Sequence, residues 1–275
     1  MGKNKLKKFA EMKTFHNVFE CGIRDITEDN PIAQLAGRWN EEVFHNDNPI
    51  VLELGCGRGE YTVGLAKTYP DKNFIGIDIK GARLWAGAKE AETGGISNAA
   101  FLRINIEMIT HFFAPNEVSE IWITFPDPQM KKATKRLTST FFMARYQQFM
   151  QPNGLIHLKT DSPFLYTYTA EMLRLNGYQI LVDTQDLYRP LTLKDRPADC
   201  KTVTPEDRCA EGPLADARAL QTHYEQQWLS RGMTIKYLCW ELAPREAFEE
   251  PTIEIEKDDY RSYGRNYVVN EELKK

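Results

Sequence analysis

Apolar residues along this chain recur in two alternating periods. Ile50-Val51-Leu52-Glu53-Leu54 is a short β-rich run, closed by Gly55-Cys56-Gly57-Arg58-Gly59 and followed by a helical pattern that puts Tyr61, Leu65 and Ala66 on one face. The alternation repeats with Phe74–Ile79 as strand, Ala82–Glu92 as helix, Ala100–Ile104 as strand and a short helix ending near Phe113. Glu120–Phe125 is a fourth strand, Ser139–Met150 a helix, Leu155–Lys159 a fifth strand and Pro163–Leu175 a helix. Strands separated by crossover helices predict an α/β fold, a doubly wound and mostly parallel sheet with helices on both faces.

Both ends depart from the pattern. Residues 1–45 are polar, basic and weakly periodic and read as a flexible extension leading into one or two short helices, so a domain is expected over 46–275. Tyr178–Val182 and Thr234–Leu242 look like strands, the C-terminal one antiparallel. Between them, about 184–221 reads as an inserted loop, with Pro190, Pro197, Pro205 and Pro213. Thr222–Arg231 is predicted helical, with Tyr224 and Trp228 on one face. Trp122, Trp228 and Trp240 are expected in the core.

Composition adds boundaries. The chain has 275 residues, 42% of them hydrophobic and 27% charged, which fits a globular protein. No apolar run approaches the ~20 residues of a membrane span, and no apolar stretch follows the basic start, so the cytoplasm is the expected compartment and no membrane partner is expected. Five cysteines without a C-x-x-C pair predict free thiols, and histidines without ligand spacing predict no metal. The net charge of −4 argues against a bulk polycation, yet charge is segregated: Lys3, Lys5, Lys7, Lys8 and Lys13 crowd the start, Lys131, Lys132, Lys135 and Arg136 form a second basic knot, and Glu249–Asp259 is acidic.

A strand running through glycines into a helix places backbone amides and the positive helix end at the strand's carboxyl edge. The dinucleotide pattern G-x-G-x-x-G fails because Glu60 stands at its third glycine. An acid before the glycines, Glu53, and another at the end of the next strand, Asp78, instead resemble the S-adenosylmethionine site of class I methyltransferases. In that site Gly55 and Gly57 let the backbone approach the methionine moiety, Glu53 receives its ammonium directly or through water, and Asp78 accepts the ribose hydroxyls. Asn105, past the third strand, would lie near the adenine. Each of these residues also has a plain reading as a turn or loop residue; their combination points to a nucleoside-type cofactor.

The fourth strand ends in Phe125-Pro126-Asp127-Pro128, where two prolines stiffen the turn and bias the residue before each toward extended backbone. The fifth ends in Lys159-Thr160-Asp161, a second carboxylate at a neighbouring strand end. Together with Lys131-Lys132, Lys135-Arg136-Leu137 and Thr222-His223-Tyr224-Glu225, these motifs make the chain similar to the bacterial tRNA (guanine-N7)-methyltransferases, the TrmB family, over roughly residues 46–182 and 220–242. The resemblance implies S-adenosylmethionine held by Glu53, Gly55, Gly57, Asp78, Asn105 and Asp127, and tRNA substrate met by Lys131, Asp161, Thr222 and Glu225. Asp127 and Asp161 would be catalytic, the acceptor would be a guanine N7 at position 46 of the variable loop, and the protein would be a monomer or homodimer. Asp161 and Glu225 are expected to accept from guanine N1–H and its exocyclic amine, and the two basic clusters to hold phosphates.

The chain departs from the family pattern in having Gln129 where Trp is usual, Asn105 where Asp is usual, a basic run about two residues shorter, and a longer 184–221 segment. Two alternatives stay open at this level: a methyltransferase acting on an exocyclic amine of another RNA or a protein, and a non-catalytic RNA-binding protein of the same fold.

Overall fold

The computed structural model describes residues 2–189 and 212–259. Its elements are α1 (Gly2–Met12), β1 (Val18–Glu20), β2 (Ile50–Leu54), α2 (Glu60–Thr68), β3 (Asn73–Ile77), α3 (Gly81–Gly94), β4 (Ala99–Arg103), β5 (Val118–Thr124), α4 (Thr140–Tyr146), β6 (Met150–Thr160), α5 (Pro163–Leu175), β7 (Ile180–Thr184), α6 (Pro213–Ala219), α7 (His223–Leu229) and β8 (Lys236–Glu241), with short 3-10 and π turns between them. The strands follow one another in the order β1-β4-β3-β2-β5-β6-β8-β7. Pairing is parallel from β1 through β5 and antiparallel between β7 and β8. This is the doubly wound, mostly parallel α/β arrangement that the alternation predicts.

Two compact units are distinguishable. The first comprises Met1–Thr124, Phe142–Ile156 and Leu242–Pro244; the second is drawn from Phe125–Phe141, His157–Glu241 and Arg245–Lys275. In the first unit β2 and β3 are buried at every position, which is why their sequences are mostly apolar rather than alternating, with Glu53 and Asn73 as buried polar members. Helix α2 follows the glycine turn and buries Tyr61, Leu65 and Ala66, the face its periodicity marks. In the second unit α5 matches its predicted bounds, and its start is written locally: Ser162 caps the first turn by accepting from Leu165 N, and Pro163 opens the helix where a missing N–H costs nothing.

Residues 1–45 differ from a flexible arm. Val18–Glu20 adds a parallel strand to β4, a three-residue element too short to carry a period. Trp39 is fully buried, donates its indole N–H to Phe112 O at 2.8 Å, and packs edge-on against Phe19 and stacked on Phe113. Helix α1 docks on α3, where Glu11 meets Lys89 at 2.6 Å and the Trp85 indole at 2.9 Å. Lys8 lies 4.2 Å over the Trp85 ring, so this member of the N-terminal basic cluster also packs against its own protein.

Within the 184–221 segment, residues 190–211 lie outside those described; the remainder contains α6, a helix where the loop reading has none. Trp122, Trp228 and Trp240 are buried, as expected. Cys21, Cys56 and Cys239 are buried free thiols, whereas Cys200 and Cys209 fall outside the described residues. Among the described residues no helix is long and apolar enough to cross a membrane.

Candidate functional site

The first unit carries one set of candidate residues, around the turn after β2. Gly55 N and Cys56 N both donate to Ile77 O, at 2.8 and 3.0 Å, which ties the turn to the end of β3. Gly57 has φ +57, and a side chain there would be strained while meeting nothing closer than Gly55 O at 3.9 Å, so the backbone stays open on that side. Gly59 serves a different purpose: an added Cβ would lie 2.5 Å from the Phe101 ring and 3.3 Å from Gly87 Cα, so a glycine here lets the turn, α3 and β4 close together.

Asp78 stands just past β3 with both carboxylate oxygens oriented by backbone amides, Oδ2 accepting from Gly57 N at 2.9 Å and Oδ1 from Lys80 N at 2.7 Å. Its plane is thereby fixed before any ligand arrives. Glu53 is buried at 3% exposure and accepts from Thr62 N (2.8 Å), Thr62 Oγ1 (2.6 Å) and Thr124 Oγ1 (3.0 Å), all neutral donors. Burial outweighs those three bonds and pushes its carboxyl up to about 7. A cationic ligand group would reverse that balance, so this carboxylate fits the ammonium end of S-adenosylmethionine and the oriented Asp78 fits its diol. Asn105 caps the turn after β4 by accepting from Glu107 N at 3.1 Å.

The second unit carries the other residues. Phe125, expected to be extended because proline follows it, has φ 48, the left-handed region, and Gln129 has φ 46. A bulky residue held there costs about 1–3 kcal/mol, so the surroundings must over-determine it. Phe125 N is bonded to Lys159 O at 2.8 Å, and its ring meets Tyr224 edge-on at 5.5 Å. The chain therefore turns sharply at the strand end and lifts Asp127 to the surface between two buried prolines, its Oδ1 accepting from Gln129 N at 2.9 Å.

The basic knot that follows is not uniform. Lys131, Lys132 and Lys135 are exposed. Arg136 is buried: Nε and Nη2 donate to the carbonyls of Pro128 (3.2 Å) and Met130 (3.1 Å), and its guanidinium lies 4.8 Å from the Phe164 ring and 4.4 Å from the Tyr168 ring. This corrects the expectation that Arg136 holds phosphate; it braces the Asp127 turn from inside. A short charge run gives no sign of which member turns inward, although Phe164 and Tyr168, four residues apart on α5, are a pair that could receive it. Replacing Arg136 with Met leaves two carbonyls without a donor and should lower unfolding stability by about 1–3 kcal/mol. Turnover should fall about tenfold with the loosened turn. Denaturant titration with a turnover assay checks both; undiminished turnover would mean that the brace is irrelevant to Asp127.

Asp161, at the end of β6, is fully buried and accepts from Tyr224 OH at 3.3 Å. Lys236 Nζ reaches Asp161 O at 3.2 Å; burial lowers its ammonium while the charge of Asp161, then of Asp258 and Asp186, opposes the shift. Thr222 and Glu225 form a capping box at the start of α7: Thr222 Oγ1 accepts from Glu225 N at 3.1 Å, and Glu225 Oε2 accepts from Thr222 N at 3.3 Å. The Glu225 carboxylate is fully buried and already engaged by Lys159 Nζ at 2.8 Å and Tyr188 OH at 2.5 Å, an engagement its sequence position does not announce. Asp161, Thr222 and Glu225 thus gather within one unit, together with Lys159 and Tyr188, which sequence reasoning passed over. Among the described residues no cluster of three or more His, Cys, Asp or Glu could hold a metal ion.

Comparison with known proteins matches residues 47–238 to a family model described as "Putative methyltransferase". The chain is 54% identical over 266 residues, 97% of this chain and 96% of the relative, to a protein of Bacteroides fragilis named tRNA (guanine-N(7)-)-methyltransferase. Proteins of the same name from Bacteroides thetaiotaomicron, 52% identical over 97% of this chain and 96% of theirs, and from Porphyromonas gingivalis, 53% identical over 93% and 97%, are similarly close.

Proposed function

The chain belongs to the tRNA (guanine-N7)-methyltransferase family, and from that premise we propose that it methylates N7 of a guanine in tRNA, at position 46 of the variable loop. S-adenosylmethionine, when bound, supplies a sulfonium-activated methyl group that the guanine N7 lone pair displaces from sulfur, leaving S-adenosylhomocysteine and a positively charged 7-methylguanine. The single observation that supports the reading is the chemistry of the two residue sets: a carboxylate oriented by backbone amides and a buried carboxylate with neutral donors in one, and a buried carboxylate beside a capped, aromatic-bearing helix in the other.

Guanine N7 needs no base to expose its lone pair, so the protein's work is alignment and charge stabilisation. Glu53, Gly55, Gly57, Asp78 and Asn105 hold the cofactor, and Asp127 of the Pro-Asp-Pro turn is a cofactor-binding and catalytic residue by the family resemblance. Asp161 accepts from the guanine N1–H edge, an interaction that strengthens as the ring becomes cationic and therefore favours the transition state over the ground state. Thr222 and Glu225 build the helix start that accompanies it, and Lys131 meets the tRNA backbone. Activity in the cytoplasm, as a monomer or homodimer, completes the proposal.

The test is incubation of the purified chain with methyl-labelled S-adenosylmethionine and an unmodified tRNA transcript, then nuclease digestion and identification of the labelled nucleoside. Label in 7-methylguanosine, mapped to the variable loop, is expected; label in another nucleoside would overturn the acceptor. Exposed Lys131, Lys132 and Lys135 lead to a second expectation. Replacing all three with Ala should weaken tRNA binding and reduce the slope of log affinity against log salt by about 2, because each lost phosphate contact releases fewer counterions. An unchanged slope would mean that this cluster does not touch phosphate.

A further inference from the structure

Lys159 stands on β6 two residues before Asp161, and none of its side chain reaches solvent. Its ammonium lies 2.8 Å from Glu225 Oε1, 2.5 Å from Ala217 O, 3.0 Å from Leu220 O and 3.4 Å from Tyr188 OH. Three N–H donors are thus spent on one carboxylate and the two carbonyls that end α6, with the tyrosine contact the loosest. Such a lysine cannot hold phosphate. Nor is stability a sufficient reason for it, because a buried ion pair is typically matched or bettered by apolar residues of similar volume.

What the ammonium holds leads to the acceptor residues by a short path. Glu225, its partner, bonds Thr222 N and so closes the capping box that starts α7. Ala217 and Leu220, whose carbonyls it grips, lie immediately before that cap. In the first turn of the helix, Tyr224 donates to Asp161 Oδ2 at 3.3 Å and sets its ring edge-on against Phe125, the left-handed residue that opens the Pro-Asp-Pro turn. We propose that Lys159 is a positioning residue of the acceptor end: by neutralising Glu225 and clamping the end of α6, it fixes the start of α7 so that Tyr224 orients the Asp161 carboxylate toward the guanine edge. The inference deepens the guanine reading above and rests on it, and it gives Glu225 the part of an internal anchor rather than a direct guanine ligand.

Lys159→Met alone strands a buried carboxylate and can cost the fold, so the informative protein is the double variant Lys159→Met/Glu225→Gln, which is neutral at both positions and keeps an oxygen for Tyr188. Single-turnover methylation at saturating cofactor and tRNA should fall about 100-fold, the scale at which small misplacements of reacting groups act. Cofactor affinity and tRNA affinity, the latter set by exposed lysines, should stay within about threefold of the parent. A rate within threefold of the parent would overturn the proposal, as would a parallel loss of rate, both affinities and thermal stability, which marks a merely structural pair. Tyr224→Phe with the ion pair intact is the second variant: it removes only the donation to Asp161 and should lower the rate with both affinities kept, and a rate within threefold of the parent would overturn the path from Lys159 to Asp161. The parent protein in the same assay separates this from the reading beneath it, since label outside 7-methylguanosine would sink the guanine assignment regardless of how the variants compare.

Discussion

Asp161→Asn should lower the single-turnover rate of methyl transfer about 100-fold at saturating tRNA while leaving cofactor affinity within about twofold. The product ring carries a full positive charge, and the barrier reflects how much of that charge is stabilised as it develops. Asp161 is fully buried, so its carboxylate acts through a poorly screening medium and a fixed geometry held by Tyr224. Asparagine keeps the shape and one acceptor oxygen but removes the negative charge and turns an N–H toward the other direction, where a donor of the guanine edge would meet it. Rapid-quench measurement with labelled cofactor reads the chemical step directly. A variant that keeps the parental rate would move the charge stabilisation away from this residue and leave Asp127 as the carboxylate to examine.

The second large effect concerns Glu53. In the free protein its carboxyl titrates at about 7 because burial disfavours its charge. Below that pH it is protonated and offers no charge to the cofactor's ammonium, so cofactor affinity should fall about fivefold from pH 7 to pH 6 and level off above about pH 8. Glu53→Gln should weaken binding about 10- to 100-fold at pH 8, the scale of a charge-assisted hydrogen bond, and abolish the slope between pH 6 and 7. The same group leaves a mark on stability. Between its ordinary 4.5 and about 7 the folded chain keeps a proton that the unfolded chain has released, so stability decreases as pH rises through that window, by about 3 kcal/mol in all. The Gln variant should lack that contribution. Calorimetric titration across pH 6–8 checks the first claim and denaturant melts across pH 4.5–7 the second; binding that ignores pH would show that Glu53 does not face the ammonium.

These expectations draw unequally on sequence and on structure. The strand, glycine turn and helix from Ile50 to Thr68 are legible because each step is a local rule: a buried parallel strand is apolar at nearly every position, positive φ selects glycine, and one helix face repeats every three to four residues. Helix α5 is legible for the same reason, its cap and its proline being neighbours in sequence. Val18–Glu20 is not, since three residues carry no period and only β4 makes them a strand. The backbone at Phe125 goes against its local rule: the residue before a proline prefers extended geometry, and tertiary contacts to Lys159 and Tyr224 hold it at φ 48 instead.

By itself, then, the sequence determined the alternation of elements, the glycine turn and the identity of the carboxylates at the strand ends, because those features are encoded over windows of a few residues. Only the tertiary structure decided which charges face inward. Arg136 and its exposed lysine neighbours are indistinguishable in a basic run until two carbonyls and two aromatic rings are brought around one of them. Lys159 and Glu225, 66 residues apart, become a pair only when β6 and α7 are packed, because burial of a charge is a property of everything that surrounds it and not of the residues beside it in the chain.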